Sequence, residues 1–403
     1  MYVLAERFAD FGIDVDHLSV DWGRAVDRAA EIVEKCTDPK PEGLASQGIR
    51  LFTERGRFLD PHTIQVGEAV LHADKVVVAT GASTARPPIS GAELAVTSTE
   101  MLTLREPPAR LVVIGGGVIG MEFAYMFARL GTRVTVIELT DHILGELDGE
   151  LIEAVAAHAQ TIGVDLHTGT AVRSIASGPD GGFVVEAAAA DGALLRVEAD
   201  LVMYGAGRAP NVSGIGLEAA GVAFDAHGIH TDAALRTNVE HIWAAGDVRS
   251  GSPQLAPVAT YCGKLAAQNA LRGRNRPFDD RLVPYIVGLS PTVAAAGMSE
   301  EQATAQGRSV GTHRTDYAEV CPATNVEGES VGFLKIVFDS QTGELLGAHG
   351  FGSGSAELVQ QMAFAIRGGL SLAEAGDLLF VFPGLSQVTE YVLRPRPGDP
   401  QPG

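Results

Sequence analysis

Cysteine is scarce in this chain. Only Cys36, Cys262 and Cys321 occur among 403 residues. They are far apart and odd in number, which excludes a disulfide framework and any Cys-x-x-Cys metal or redox pair. Positive charge is also short: 30 Lys and Arg face 50 Asp and Glu, a formal net charge of −20. Phosphate binding needs clustered Lys and Arg, so neither nucleic acid nor an anionic membrane is expected as partner. No apolar run reaches the length of a membrane span. The first residues carry Glu6, Asp10, Asp14 and Asp16 where a secretory signal has a basic head and an apolar core. The expectation is a cytoplasmic protein. The 11 histidines show neither His-x-x-x-His nor His-Glu-x-x-His spacing, so no metal site is expected. His142 reads as a surface loop residue.

What the chain has is glycine and apolar bulk. With 48 glycines and 46% hydrophobic residues it can build two or three domains with sizeable cores. Residues 1–36 read as mostly helical, with apolar positions at helical spacing through "WGRAVDRAAEIVEKC"; short strand-like runs follow in "IRLFT", "GRFLD" and "TIQV", then the buried run "KVVVATGAS". The stretch up to Pro107-Pro108 reads as a connector. A helix is expected at about 149–161, strands in "GGFVVEAAA" and "ALLRVEADLVMYGAG", and a helix with small residues on one face in "VATYCGKLAAQNALRG". Beyond "LVPYIVGLS" the pattern is α+β, with a hairpin in "GFLKIVFDSQTGELLGAHGFG" and a helix in "SAELVQQMAFAIRGG". The tail "RPRPGDPQPG" is expected to be disordered.

From 111 the order is strand, glycine loop, helix, strand: "LVVIGGGVIGMEFAYMFARLGTRVTVIE". The loop Gly115, Gly116, Gly117, Val118, Ile119 and Gly120 holds a G-x-G-x-x-G in nearly complete context. Gly115 permits the tight turn, Gly117 lets backbone approach a pyrophosphate, and Gly120 lets the helix pack close to the strand. The helix N-terminus faces the phosphate charge. The second strand ends in Glu138, where a carboxylate accepts from ribose hydroxyls. A 2′-phosphate would be repelled there, and no Arg follows in "ELTDHIL", so NAD(H) is favoured over NADP(H).

The segment "HIWAAGDVRS" ends an apolar strand in Asp247. Such an aspartate serves either as an acceptor for ligand hydroxyls or as a helix N-cap. Cys262 lies in a helix among small residues and reads as core. Cys36 and Cys321 have no neighbouring His and read as incidental thiols.

The order "VVVATGAS", "GGGVIGMEFA", "VTVIE", "GAGRAPN", "IWAAGDV", "GFLKIVFD" resembles the pyridine nucleotide–disulfide oxidoreductase family over nearly the whole chain. That family includes dihydrolipoyl dehydrogenase, mercuric reductase and flavin-dependent NAD(P)H:quinone reductases. The resemblance implies two cofactors, FAD and NAD(H). It places Thr80 and Gly81 at the FAD site, Asp247 on the flavin's ribityl and diphosphate region, Gln254, Leu255 and Ala256 beside the isoalloxazine, Glu122 close to the flavin, and Gly207 in a loop that closes the NAD domain.

Departures matter equally. The family's N-terminal strand, G-x-G-x-x-G and helix for FAD are absent, as is its Cys-x4-Cys redox disulfide. The expectation is a chain N-terminally incomplete, through a misassigned start or a real deletion. Where disulfide-reducing members have His-Pro-Thr-x-x-Glu, this chain has "FPGLSQ", with Phe382 and Gln387 in place of the acid–base pair. No catalytic side chain is assigned.

The implied fold class is α/β, with two Rossmann-like dinucleotide-binding domains and a C-terminal α+β dimerisation domain. The FAD-type domain is discontinuous and N-terminally incomplete, and the NAD-type domain is inserted in it. The expected segments are 1–108 and 232–281 for the FAD-type domain, 109–231 for the NAD domain, 282–392 for dimerisation and 393–403 for the tail. The expected function is hydride transfer from NADH to flavin and on to a small diffusible, quinone-like acceptor, in a homodimer. Two alternatives stay open: a mercuric reductase- or dihydrolipoyl dehydrogenase-like enzyme whose cysteines lie upstream, and a non-catalytic NAD-binding dimeric remnant without flavin.

Overall fold

The computed structural model describes residues 5, 8–36, 41–320 and 330–400. The chain divides into two compact units, one of residues 1–23, 86–206 and 281–403, the other of residues 24–85 and 207–280.

The first unit contains a four-stranded parallel sheet in the order Leu201–Tyr204, Arg110–Ile114, Arg133–Ile137, Val164–His167. Ile114 is level with Tyr204 on one side and Ile137 on the other, so all three strands end on one line. The strand Arg110–Ile114 is buried from Leu111 onward, as a continuous apolar run in a covered parallel strand requires. The helix Val118–Arg129 lays Met121, Ala124 and Phe127 against the sheet, and the helix Gly149–Thr161 adds Leu151, Val155 and Ala159 at helical spacing. Asp148 caps the latter through the Glu150 N–H at 3.2 Å. An antiparallel sheet of Thr170–Ser177, Phe183–Ala189 and Leu194–Ala199 completes this region.

The same unit holds a five-stranded antiparallel sheet in the order Tyr285–Val287, Val293–Gly297, Leu345–Gly352, Gly332–Asp339, Val310–Asp316. The expected hairpin is there, Gly332 opposite Gly352. The helices Ser355–Gly368 and Ser386–Val392 bury Leu358, Met362, Val388 and Val392 against this sheet. On the opposite face of the sheet Lys335 is only 2% exposed. It bonds Asp148 at 3.1 Å, Glu150 at 2.8 Å and Glu300 at 2.8 Å. Burial opposes its charge, but the three carboxylates outweigh that and hold the ammonium above the ordinary lysine range.

The second unit is built on a meander of Gly56–Asp60, Thr63–Val66 and Ala69–His72 and on a parallel pair, Val76–Val78 with Ile242–Ala244. Phe58, Val78, Leu217, Ile229, Ile242 and Val248 form its core. The helix Ala256–Arg272 approaches closely because a Cβ on Gly246 would lie 3.2 Å from that of Ala259, which accounts for the small-residue face.

Four expectations meet a different structure. Residues 13–21 form no helix, and the helix begins only at Trp22. "IRLFT" forms no strand; Ile49 and Leu51 remain 48% and 51% exposed, with no neighbouring strand to pair with. The tail packs only in part: Leu393 is 2% exposed and Asp399 Oδ1 meets His313 Nε2 at 3.1 Å, while residues 394–398 stay exposed. Composition cannot foresee such a partner. Packing also groups the chain differently from the segments drawn at 108/109 and 231/232. Val96 donates to Val202 O and ties residues 86–108 to the inserted sheet, while Leu217 draws residues 207–231 into the core around Phe58.

Candidate dinucleotide and flavin sites

At the carboxyl end of the parallel sheet the glycine loop turns into the helix Val118–Arg129. Each glycine has its own geometry. Gly115 sits at φ +106, and a Cβ there would lie 2.5 Å from Ala206 Cβ. A Cβ on Gly120 would lie 2.0 Å from Gly115 O, so the helix can rest on the strand only with glycine at this position. A Cβ on Gly117 would meet nothing within 4 Å: this is the open face of the loop. Gly117 caps the helix without a side-chain bond, leaving backbone N–H groups to an anion. Val118 is exposed at the first turn and Ile119 packs inward.

Glu138 is held at this loop. Its Oε2 accepts the Gly116 N–H at 2.6 Å, and its Oε1 accepts the Thr140 N–H at 2.8 Å and hydroxyl at 2.7 Å. Thr140 and Tyr204 were missed by sequence reasoning. Burial, with the negative Glu138 second, raises the Tyr204 phenol above the ordinary tyrosine range. Its position level with Ile114 was the only available signal. Glu122 has a partner of its own, accepting the Gly288 N–H at 2.7 Å within the same unit.

In the second unit Val76–Val78 and Ile242–Ala244 run parallel in register, and Ala245 donates to Val78 O. Their carboxyl ends, Ala79-Thr80-Gly81 and Ala245-Gly246-Asp247, therefore lie side by side, as ligand-binding strand ends do in open α/β sheets. Asp247 is half-buried, and its carboxylate makes no hydrogen bond to another described residue. It does not act as an N-cap: Ala245 holds that position, with no side-chain bond. Gly81 takes φ +67 with open space beyond it. Gln254 adopts φ 52, uncommon for a residue with a side chain. Leu255 caps the helix that begins at Ala256, with no side-chain bond to its first N–H groups. Gly207 lies in this unit, and its carbonyl accepts the Ala85 N–H at 3.2 Å.

These features fit the groups that the sequence implies. Gly117 leaves a cradle open to a pyrophosphate, and Asp247 is an acceptor without a donor among the described residues. Among the described residues one strand–loop–helix unit carries a full G-x-G-x-x-G, at Gly115–Gly120, and it belongs to the first unit.

Thiol chemistry finds little support among the described residues. Cys262 is fully buried, and burial raises its thiol above the ordinary range. Cys36 is exposed; Cys321 lies outside the described residues. Phe382 is 71% exposed, and Gln387 is buried with its Oε1 unpartnered. No group of three or more potential metal ligands occurs among the described residues, and no helix among them is long and apolar enough to cross a membrane.

The family model for pyridine nucleotide-disulphide oxidoreductases matches residues 10–263, and the model for their dimerisation domain matches residues 283–392. The chain is 32% identical over 379 residues to a mercuric reductase of Bacillus cereus, covering 93% of this chain and 59% of that protein. It is 33% identical over 400 residues to a dihydrolipoyl dehydrogenase of Mycobacterium bovis, covering 97% of this chain and 85% of that protein. The structure is similar to the HOCl-induced flavoprotein disulfide reductase RclA from Escherichia coli, with a TM-score of 0.84 at 28% identity, covering 93% of this chain and 86% of that one. Motif order, strand-end geometry and these matches agree: the chain belongs to the pyridine nucleotide-disulphide oxidoreductase family.

Proposed function

We propose that this protein is a cytoplasmic, homodimeric flavoenzyme that takes a hydride from NADH and passes the electrons to a small diffusible acceptor of quinone type. The observation that carries the flavin half is Asp247, a half-buried carboxylate with no partner among the described residues, at the ends of two parallel strands. Flavin, when bound, supplies the hydride-accepting ring. The chain's own residues do the holding. Asp247 accepts from ribityl hydroxyls, Thr80 and Gly81 line the neighbouring strand end, and Gln254, Leu255 and Ala256 present the N-terminus of a helix. In the other unit, Gly115–Gly120 receive the NADH pyrophosphate and Glu138 the adenosine ribose.

The preference for NADH over NADPH follows from charge. Glu138 already accepts three donors, and a 2′-phosphate there would place like charges together with no Arg in "ELTDHIL" to offset them. Phe382 cannot take a proton, and no described cysteine has a thiol partner, so the acceptor is one that needs no dithiol. The dimerisation-domain match over 283–392, together with exposed Leu379, Val381 and Phe382, supports a homodimer through the C-terminal sheet domain.

The test is steady-state NADH oxidation by the FAD-supplemented full chain with a benzoquinone acceptor, with and without arsenite. Turnover insensitive to arsenite is expected. Turnover with lipoamide or mercuric ion, blocked by arsenite, would overturn the proposal. A second reading, an NAD-binding protein without flavin, draws on there being one full G-x-G-x-x-G loop among the described residues. It predicts NADH binding with no turnover.

A further inference from the structure

Asn211 directs all its polar groups to one short loop. Its backbone N–H donates to Gly81 O at 2.8 Å and its side-chain Nδ2 donates to Thr80 O at 2.9 Å. Its Oδ1 accepts the Ser83 hydroxyl at 2.8 Å, and its carbonyl accepts the Thr80 hydroxyl at 2.8 Å. Just beyond, Ala82–Thr84 pairs antiparallel with Arg208–Pro210.

The opposite side of that loop is bare. Thr80 and Ser83 are exposed, and a Cβ on Gly81 would meet nothing within 4 Å. Burial therefore does not fix the loop; its four hydrogen bonds with Asn211 do, next to the strand pairing that begins at Ala82. An exposed loop fixed in this way before any ligand arrives lowers the ordering cost of binding. Its other neighbour is the Asp247 turn, beside it through the register of Val78 with Ala244.

We propose that Asn211 is a positioning residue for the flavin site, presetting the backbone of Ala79–Ser83 so that its open face meets the cofactor. This rests on the flavin reading above. Asn211 itself touches no reacting atom; it acts through Thr80, Gly81 and Ser83.

The test compares the full chain with Asn211→Ala and with Ser83→Ala, which removes one of the four bonds. Amide hydrogen exchange of the peptide covering 79–85, without added flavin, reads the clamp directly. FAD titration reads its consequence, and NADH affinity and Tm report whether the fold is intact. Asn211→Ala is expected to speed exchange in that peptide and to raise the FAD Kd roughly tenfold or more, at tenfold per 1.4 kcal/mol, with NADH affinity retained. Ser83→Ala should fall between. Unchanged exchange, or faster exchange with an unchanged FAD Kd, would overturn the proposal alone. A wild-type chain that binds no FAD would overturn the flavin reading and this proposal with it.

Discussion

The Oε2 atom of Glu138 accepts the backbone N–H of Gly116 at 2.6 Å. The residue proposed for the ribose is thus tied to the loop proposed for the pyrophosphate, 22 positions away in sequence. The carboxylate is set in place by backbone geometry before a ligand arrives, and its charge stands at the end of the second strand.

Replacing that charge should change nucleotide preference. Bonds to charged groups contribute about 1.5–3 kcal/mol, so Glu138→Ala should weaken NADH binding by roughly tenfold to a hundredfold. NADPH should lose far less. Paired titrations with the two nucleotides check this, and a parallel loss for both would show that Glu138 does not discriminate.

Two glycines three positions apart should behave differently. A Cβ on Gly120 lies 2.0 Å from Gly115 O, so Gly120→Ala should destabilise the unit at the upper end of the ~1–3 kcal/mol cost of overpacking. Gly117 has φ −74 and open space, so Gly117→Ala should leave Tm unchanged and still impair NADH binding, because the methyl occupies the ligand's place. Tm and NADH affinity, measured on both variants, separate the two roles.

Lys335 joins three carboxylates in the core of the first unit. Removing one partner of a buried charge pair costs about 3–5 kcal/mol. Lys335→Met should therefore lower stability by several kcal/mol in urea unfolding, where an exposed lysine such as Lys35 would change it little.

His349 should shape the acid limb of stability. It donates from Nε2 to Met298 O at 3.0 Å, and its Nδ1 is buried without a partner. Burial holds its pKa below the ordinary value. The unfolded chain then binds a proton that the folded chain refuses, so stability falls as pH drops below about 6.5. His349→Gln keeps a donor for Met298 O but cannot take up a proton in this range. Its stability should be flatter between pH 7.5 and 5.5 than that of the wild type, and equal slopes in urea unfolding would refute the assignment.

The parts legible in sequence were those in which residue type alone sets geometry. Gly115 and Gly120 could be assigned because a Cβ cannot fit where a turn or a helix crosses its strand, and Glu138 because its place at a strand end follows from spacing. The helix Gly149–Thr161 was legible from its apolar period. Long-range pairing was not. Asn211 meets Thr80 across 131 positions, and Lys335, inside an apolar strand pattern, meets Asp148 across 187. The contact of Asp399 with His313, across 86 positions, was hidden for the same reason.

The central claim is that Asp247 and the Thr80–Gly81 loop hold a flavin that NADH can reduce. The direct measurement is a visible spectrum of the full chain titrated with FAD, then exposed to NADH without oxygen. Bound-flavin bands that bleach on adding NADH are the predicted result, with the bands lost in Asp247→Ala. A chain that binds NADH but leaves FAD free and unbleached would contradict it.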